Sequence, residues 1–112
     1  MKIIAWNFRG LGNGRAVRSL LKMQKAEEPD ILFLSETKLD CNRIKGLRWQ
    51  LGLTNMMVKD CEGQSGGLAI FWRTGVNFHS RTTSRLYIDG DIVEEDGFIW
   101  RLTGFYGEPR TD

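Results

Sequence analysis

The order of patterns in the first third of the chain constrains the fold more than any other feature. An apolar run at 2–7 precedes a stretch with helical spacing at 15–28, and a second apolar run follows at Ile31–Ser35. A strand, a helix and a strand within about 35 residues predict a βαβ unit, with two parallel strands joined by a right-handed crossover. The second run is apolar almost throughout, as expected of a strand that is covered on both faces.

Two helices are predicted, and each has one apolar face. The residues that share a face of the first helix, at i, i+3, i+4 and i+7, are Val17, Leu20, Leu21 and Gln24. Asn13 is predicted as its N-cap, and Pro29 ends it. The second helix is predicted over 40–51 with Asp40 as its cap. Its inward residues are Ile44, Leu47 and Leu51.

After Gly52 the sequence pattern changes to short apolar runs separated by turn signals. The predicted strands are 55–60, 67–73, 76–82, 85–89, 91–95 and 98–106. The turn signals are Glu62-Gly63, Gly66-Gly67, Thr74-Gly75, Asp89-Gly90 and Asp96-Gly97. Because Asp-Gly between apolar runs is a strong hairpin signal, we predict an antiparallel meander here. Helices followed by hairpins predict an α+β layered fold, and residues 1–112 are short enough for a single domain.

The composition of the chain limits the cellular compartment and the binding partners that it can have. The apolar runs are too short to cross a membrane, and the N-terminal one is too short for a signal peptide, which predicts an intracellular protein without a membrane partner. Cys41 and Cys61 are the only cysteines, and their spacing predicts free thiols. Residues 1–56 carry ten basic and five acidic residues, a net of +5, whereas 57–112 carry a net of −3. A basic half suits a polyanionic partner, but a solvated helix face explains it equally well.

Three polar residues each follow an apolar strand. Asn7, Glu36 and Tyr106 stand at or just after the carboxyl ends of their predicted strands, where layered α/β folds often bind ligands. If the first two strands are parallel neighbours, Asn7 and Glu36 lie close together at one end of the sheet. A carboxylate and an amide oxygen suit Mg²⁺, which accepts one or two carboxylates together with waters and phosphate. A turn-forming Asn, a solvated Glu and a half-buried Tyr are the structural alternatives.

Four motifs then give the chain a resemblance to a known family. They are Ala5-Trp6-Asn7-Phe8-Arg9-Gly10-Leu11, Leu34-Ser35-Glu36-Thr37-Lys38, Ser65-Gly66-Gly67-Leu68 and Thr103-Gly104-Phe105-Tyr106-Gly107-Glu108-Pro109. In this order and spacing they resemble the N-terminal half of the endonuclease/exonuclease/phosphatase family. The plant LINE-type (non-LTR) retrotransposon endonucleases are the most similar branch. The resemblance covers essentially all 112 residues.

The resemblance implies a fold and a set of site residues. The fold is a four-layer α/β sandwich, of which this chain would form the N-terminal part. Glu36 would bind Mg²⁺ or Mn²⁺, Asn7 would assist at the metal and phosphate, and Tyr106 would contact the scissile phosphate. Lys38 and Arg9 are candidate substrate-binding residues. Cellular repair enzymes of the family carry Asp where this chain has Arg9, and retrotransposon members share the Arg.

The family's G-D-x-N and S-D-H motifs do not occur in these 112 residues. The single histidine, His79, is predicted to be a surface or sheet residue. The resemblance therefore implies a C-terminally truncated endonuclease domain, inactive as this fragment. In a full element it would nick nuclear DNA to prime reverse transcription, with the reverse transcriptase domain of the same polyprotein as partner. A phosphatase or deadenylase of the family and a non-catalytic nucleic-acid-binding remnant stay open as alternatives. Without the rest of the fold, 68–72 and 98–100 are expected to expose an apolar face.

Overall fold

The computed structural model describes residues 1–7, 14–37, 41–59, 67–83 and 87–105. Within these ranges the chain forms helices α1 (Gly14–Glu27) and α2 (Cys41–Leu51) together with seven strands. The strands are β1 (Ile3–Asn7), β2 (Ile31–Ser35), β3 (Asn55–Lys59), β4 (Leu68–Trp72), β5 (Phe78–Thr83), β6 (Tyr87–Val93) and β7 (Ile99–Phe105). No helix in the described ranges is long and apolar enough to cross a membrane.

The first sheet is mixed and has the strand order β1-β2-β4-β3. β1 and β2 are parallel, with Ile3 opposite Ile31 and Asn7 opposite Ser35, which confirms the parallel pair of the predicted βαβ unit. β4 pairs antiparallel with β2 on one side and β3 on the other. The predicted antiparallel pairing of β3 with β4 is therefore confirmed, but the prediction of one continuous meander is wrong, because these two strands belong to the first sheet and not to the sheet of β5, β6 and β7. Both edges and both faces of β2 have to be covered, and the equally apolar β4 takes the second edge.

The second sheet is an antiparallel meander of β5, β6 and β7. It packs on the face of the first sheet that the helices leave open. Alternation along β2 divides the core: Leu32 and Leu34 belong to a cluster with α1 and α2, whereas Ile31 and Phe33 belong to a cluster with the second sheet. The described residues thus form three layers, helices on a sheet on a sheet, and the α+β class is confirmed.

The predicted helix faces are confirmed. In α1 Leu20 is fully buried and its predicted neighbours on the face are half-buried. In α2 the three predicted residues Ile44, Leu47 and Leu51 are all buried. The predicted caps Asn13 and Asp40 lie outside the described residues, as do Cys61 and the side chain of Cys41.

Asp89-Gly90 is not a turn, and the two strands predicted on either side of it are one strand, β6. Gly90 is buried in the middle of β6, opposite Ser80 of β5. A Cβ at this position would lie 2.5 Å from Cε2 of Phe78 and 2.6 Å from the carbonyl oxygen of His79. The glycine therefore permits close packing within a strand. His79 itself is exposed on β5, as predicted.

The expected exposure of apolar strands is half right. Leu68, Ala69, Ile70 and Phe71 of β4 are buried, because the helices cover one face of this strand and the second sheet covers the other. The prediction for this strand is therefore wrong. By contrast, Phe98, Ile99 and Phe105 are exposed, on and beside β7, the terminal strand of the second sheet in the described order.

A buried carboxylate joins β5, β6 and β7 on the face of the second sheet that points away from the first. Asp89 accepts hydrogen bonds from Nε and Nη2 of Arg101, at 2.9 and 2.5 Å, and from the hydroxyls of Thr103 and Thr82. Its side chain is only 4% exposed. Hydrogen bonds from Arg101 hold the pKa of Asp89 at about 2, below its ordinary value of 3.8.

The lowered pKa of Asp89 predicts a loss of stability in acid. Because the folded state favours the ionised carboxylate, its contribution is complete above about pH 4 and is lost as the pH falls to about 2. Asp89→Asn is expected to lower the melting temperature at neutral pH. In this variant the melting temperature should also fall less steeply between about pH 4 and about pH 2. Circular dichroism melts over the pH range measure both, with Asp91→Asn as control because the Asp91–Arg81 pair is more exposed. A fall as steep in Asp89→Asn as in the wild type would contradict the assignment.

Candidate metal centre

The carboxyl ends of β1 and β2 meet at one edge of the first sheet. Asn7 ends β1 opposite Ser35, and Glu36 is the next residue after that partner. Adjacent strands are about 4.8 Å apart. Asn7 and Glu36 therefore lie at the ends of two neighbouring strands, on the same side of the sheet. This confirms the predicted juxtaposition. We call this end of the sheet, where β1 and β2 terminate, the carboxyl edge. It is defined by Asn7, Ser35, Glu36 and Gly67.

Glu36 lies in an unusual backbone position. Its φ is 55°, in the left-handed region that residues other than glycine seldom adopt. The change in direction ends β2 directly after Ser35. Although Glu36 follows a strand end, only 8% of it is exposed. A carboxylate held in a buried and locally strained position is more typical of a functional site than of a solvated strand end.

The edge continues onto β4 through Gly67. The backbone N–H of Thr37 donates a hydrogen bond to the carbonyl oxygen of Gly67, at 3.3 Å. Gly67 has a φ of 97°, which favours glycine, and it is buried just before β4 begins. The motif containing Glu36 and Thr37 and the motif containing Gly67 therefore meet at the carboxyl edge. Asn7 brings a third motif to the same place.

β7 runs across the sandwich toward this edge. Phe98, just before β7, lines a cleft together with Met1, so β7 begins near the start of β1. Farther along β7, an added Cβ at Gly104 would lie 2.6 Å from the ring of Phe33 in β2. Tyr106 follows β7 in the sequence and lies outside the described residues, as do the predicted site residues Arg9 and Lys38.

The atoms at the carboxyl edge that could coordinate a metal ion are oxygen atoms. Glu36 provides a carboxylate and Asn7, which is exposed, provides an amide oxygen. Within the described ranges no three His, Cys, Asp or Glu residues cluster as a metal site. Mg²⁺ tolerates such a sparse set, since it keeps several waters and binds through one or two carboxylates plus substrate phosphate. The residues present therefore fit a weak site for a hard divalent cation.

Thr37, whose side chain carries a hydroxyl, also lies at the carboxyl edge but was not among the predicted site residues. Thr37 is fully buried, and its Oγ1 has no hydrogen-bond partner among the described residues. The sequence signal was its position directly after Glu36. A buried hydroxyl without a partner among the described residues, directly after a buried glutamate, agrees with a polar site whose ligand would complete the hydrogen bonding.

A cleft of about 800 Å³ lies at the opposite edge of the first sheet, between the C-terminal ends of α1 and α2. It contains Asp30, which accepts hydrogen bonds from the Lys2 backbone N–H at 2.7 Å and from Arg73. The Lys2 hydrogen bond, aided by Arg73, lowers the pKa of Asp30. These partners explain Asp30 as a structural ion pair that ties β1 to β2 and β4, so we place the candidate site at the carboxyl edge.

Solved structures share this fold. TDP2 from Caenorhabditis elegans is similar with a TM-score of 0.72 and 15% identity, over 99% of this chain and 36% of that one. The human Nocturnin catalytic domain, with a bound sulfate anion, is similar with a TM-score of 0.71 and 16% identity, over 99% and 51%. The 3′ phosphatase NExo from Neisseria, bound to a product DNA hairpin, is similar with a TM-score of 0.66 and 23% identity, over 95% and 41%.

These similarities show that the chain has the endonuclease/exonuclease/phosphatase fold. At these identities they show the fold alone. The chain spans 36% to 51% of the lengths of these three structures. No protein-family profile and no curated protein sequence matches the chain.

Proposed function

We propose that the chain is the metal-binding part of a phosphodiester-cleaving endonuclease of the LINE-type retrotransposon branch, with DNA as substrate and Mg²⁺ or Mn²⁺ as cofactor. The observation that carries the proposal is the buried carboxylate of Glu36 beside Asn7 at the carboxyl edge. The fold is shared with the 3′ phosphatase NExo, whose structure contains a product DNA hairpin. The motif around Asn7 and Arg9 favours the retrotransposon branch.

Each site residue has a proposed role that the family resemblance implies and that the chemistry of its side chain allows. Glu36 binds the divalent cation, and Asn7 offers a second oxygen to the cation or an N–H to the phosphate. Tyr106 donates a hydrogen bond to the scissile phosphate, while Lys38 and Arg9 contact the DNA backbone as cations. When bound, the divalent cation supplies stabilisation of the negative charge that develops during phosphodiester hydrolysis.

In this proposal the enzyme nicks nuclear DNA, and the reverse transcriptase domain of the same polyprotein extends the nick. The chain alone is expected to show no measurable nicking of supercoiled plasmid, because the G-D-x-N and S-D-H motifs are not among its residues. Positioned acid–base groups typically contribute about 10²- to 10⁴-fold each. Metal-dependent nicking that disappears in Glu36→Gln would contradict this inactivity and would show that the carboxyl edge suffices for chemistry.

DNA binding tests the proposal without requiring turnover. A cation that is held by Glu36 and also contacts a phosphate should strengthen the binding of a short duplex. We expect Mn²⁺ to increase duplex affinity in the wild type and to have no such effect in Glu36→Gln. Fluorescence anisotropy with and without Mn²⁺, at one fixed salt concentration, measures the difference. An equal Mn²⁺ effect in both proteins would refute the site.

A non-catalytic nucleic-acid-binding remnant is the second candidate, favoured by the net charge of +5 in residues 1–56. It predicts metal-independent binding that weakens steeply as salt increases, because phosphate contacts release counterions. The same anisotropy assay, repeated as a salt series without metal, separates the two candidates. A phosphatase or deadenylase of the same fold would instead release phosphate or mononucleotides from a 3′-phosphorylated or polyadenylated oligonucleotide.

A further inference from the structure

Thr37 combines complete burial with an unpaired hydroxyl. Its relative exposure is 0%, and Oγ1 has no hydrogen-bond partner among the described residues. Buried side-chain hydroxyls are nearly always paired, because an unpaired one has lost its water without replacement. Valine has almost the same shape and would fill this position without that penalty. The hydroxyl therefore calls for an explanation beyond packing.

The surroundings of Thr37 point to Glu36. The two residues are consecutive, and Glu36 carries the left-handed φ of 55° that ends β2. The Thr37 backbone N–H is already used in the hydrogen bond to Gly67, which fixes the chain directly after Glu36. The hydroxyl is thus an available donor on a residue whose backbone is held in place directly after the buried Glu36.

We infer that Thr37 is a positioning residue for the proposed metal centre, whose hydroxyl donates a hydrogen bond to the Glu36 carboxylate, directly or through one bound water, when that carboxylate holds a divalent cation. This rests on the proposed function. A metal-bound carboxylate retains oxygen lone pairs that do not face the cation. A hydrogen-bond donor to one of these lone pairs orients the carboxylate and raises its affinity for the metal. A threonine hydroxyl has one proton to donate in this way.

Thr37→Val and Thr37→Ser test the role of the hydroxyl. The valine variant keeps the shape and removes the donor, whereas the serine variant keeps the donor. We expect Thr37→Val to bind Mn²⁺ about tenfold more weakly than the wild type in titration calorimetry. Its melting temperature without metal should be unchanged or higher, because no paired hydrogen bond is lost. Thr37→Ser should restore most of the Mn²⁺ affinity.

The outcomes distinguish this inference from the proposed function. Wild-type Mn²⁺ affinity in Thr37→Val, combined with lost affinity in Glu36→Gln, would overturn the role of Thr37 alone. Unchanged or absent Mn²⁺ binding in all the proteins would overturn both. A metal-free melting temperature that falls in Thr37→Val would show that the hydroxyl serves folding, and would also overturn the inference. Weaker binding with intact stability, rescued by serine, supports it.

Discussion

Replacing Glu36 with Gln is expected to weaken Mn²⁺ binding by at least roughly 100-fold, more than the loss of a hydrogen-bond partner to a metal ligand usually costs. Glu36 is the carboxylate that the structure places beside Asn7 at the carboxyl edge. Gln keeps the size of the side chain but removes the charge that attracts a hard cation. Wild-type affinity should itself be weak, because one carboxylate and one amide leave Mg²⁺ or Mn²⁺ with most of its waters. Titration calorimetry on both proteins measures the change.

Glu28→Gln is a matched control for this experiment. Glu28 and Glu36 are the two residues other than glycine with positive φ in the described part of the chain, at 45° and 55°. Glu28 is exposed, and it precedes β2, at the opposite edge of the sheet. The same substitution there should leave Mn²⁺ affinity unchanged. If Glu36→Gln and Glu28→Gln bind Mn²⁺ as well as the wild type, the carboxyl edge is not a metal site.

Replacing Gly90 with Ala is expected to destabilise the protein by about 3 kcal/mol or more, at the upper end of the usual cost of overpacking. The new methyl group would overlap the Phe78 ring and the carbonyl oxygen of His79. The ring is itself buried in the core between the sheets, and the carbonyl belongs to β5, so neither can move away easily. Small domains are stable by about 5–15 kcal/mol, so this loss is a large fraction of the total.

Gly46→Ala is the matched control for Gly90→Ala. Gly46 lies in the middle of α2, is exposed, and has no atom within 4 Å of an added Cβ. Alanine there should stabilise the helix by up to about 1 kcal/mol. Denaturant unfolding followed by the fluorescence of the four tryptophans measures both variants. Similar unfolding midpoints for Gly90→Ala and the wild type would mean that β5 and β6 are not packed as described.

The sequence by itself determined the local elements and the candidate site. Helical spacing predicted the buried faces of α1 and α2, because burial of one face repeats every 3.6 residues whatever lies opposite. The continuous apolar run of β2 predicted a strand covered on both faces. Polar residues after β1 and β2 then placed Asn7 and Glu36 at one edge, because the ends of parallel neighbours coincide.

Only the tertiary structure decided which sheet each later strand joins. β3, β4 and β5 are all short strands, and the sheet that each of them joins depends on which strand can fill the open edge of β2, a contact distant in sequence. The same holds for Gly90, where Asp-Gly is a turn signal locally but a ring packed on the strand requires a glycine. The burial of Glu36, and the lack of a partner for the Thr37 hydroxyl among the described residues, also depend on distant contacts, since Gly67 fixes the chain beside them. Local preference specifies a residue's conformation, whereas its neighbours across the sheet are specified only when the whole core packs.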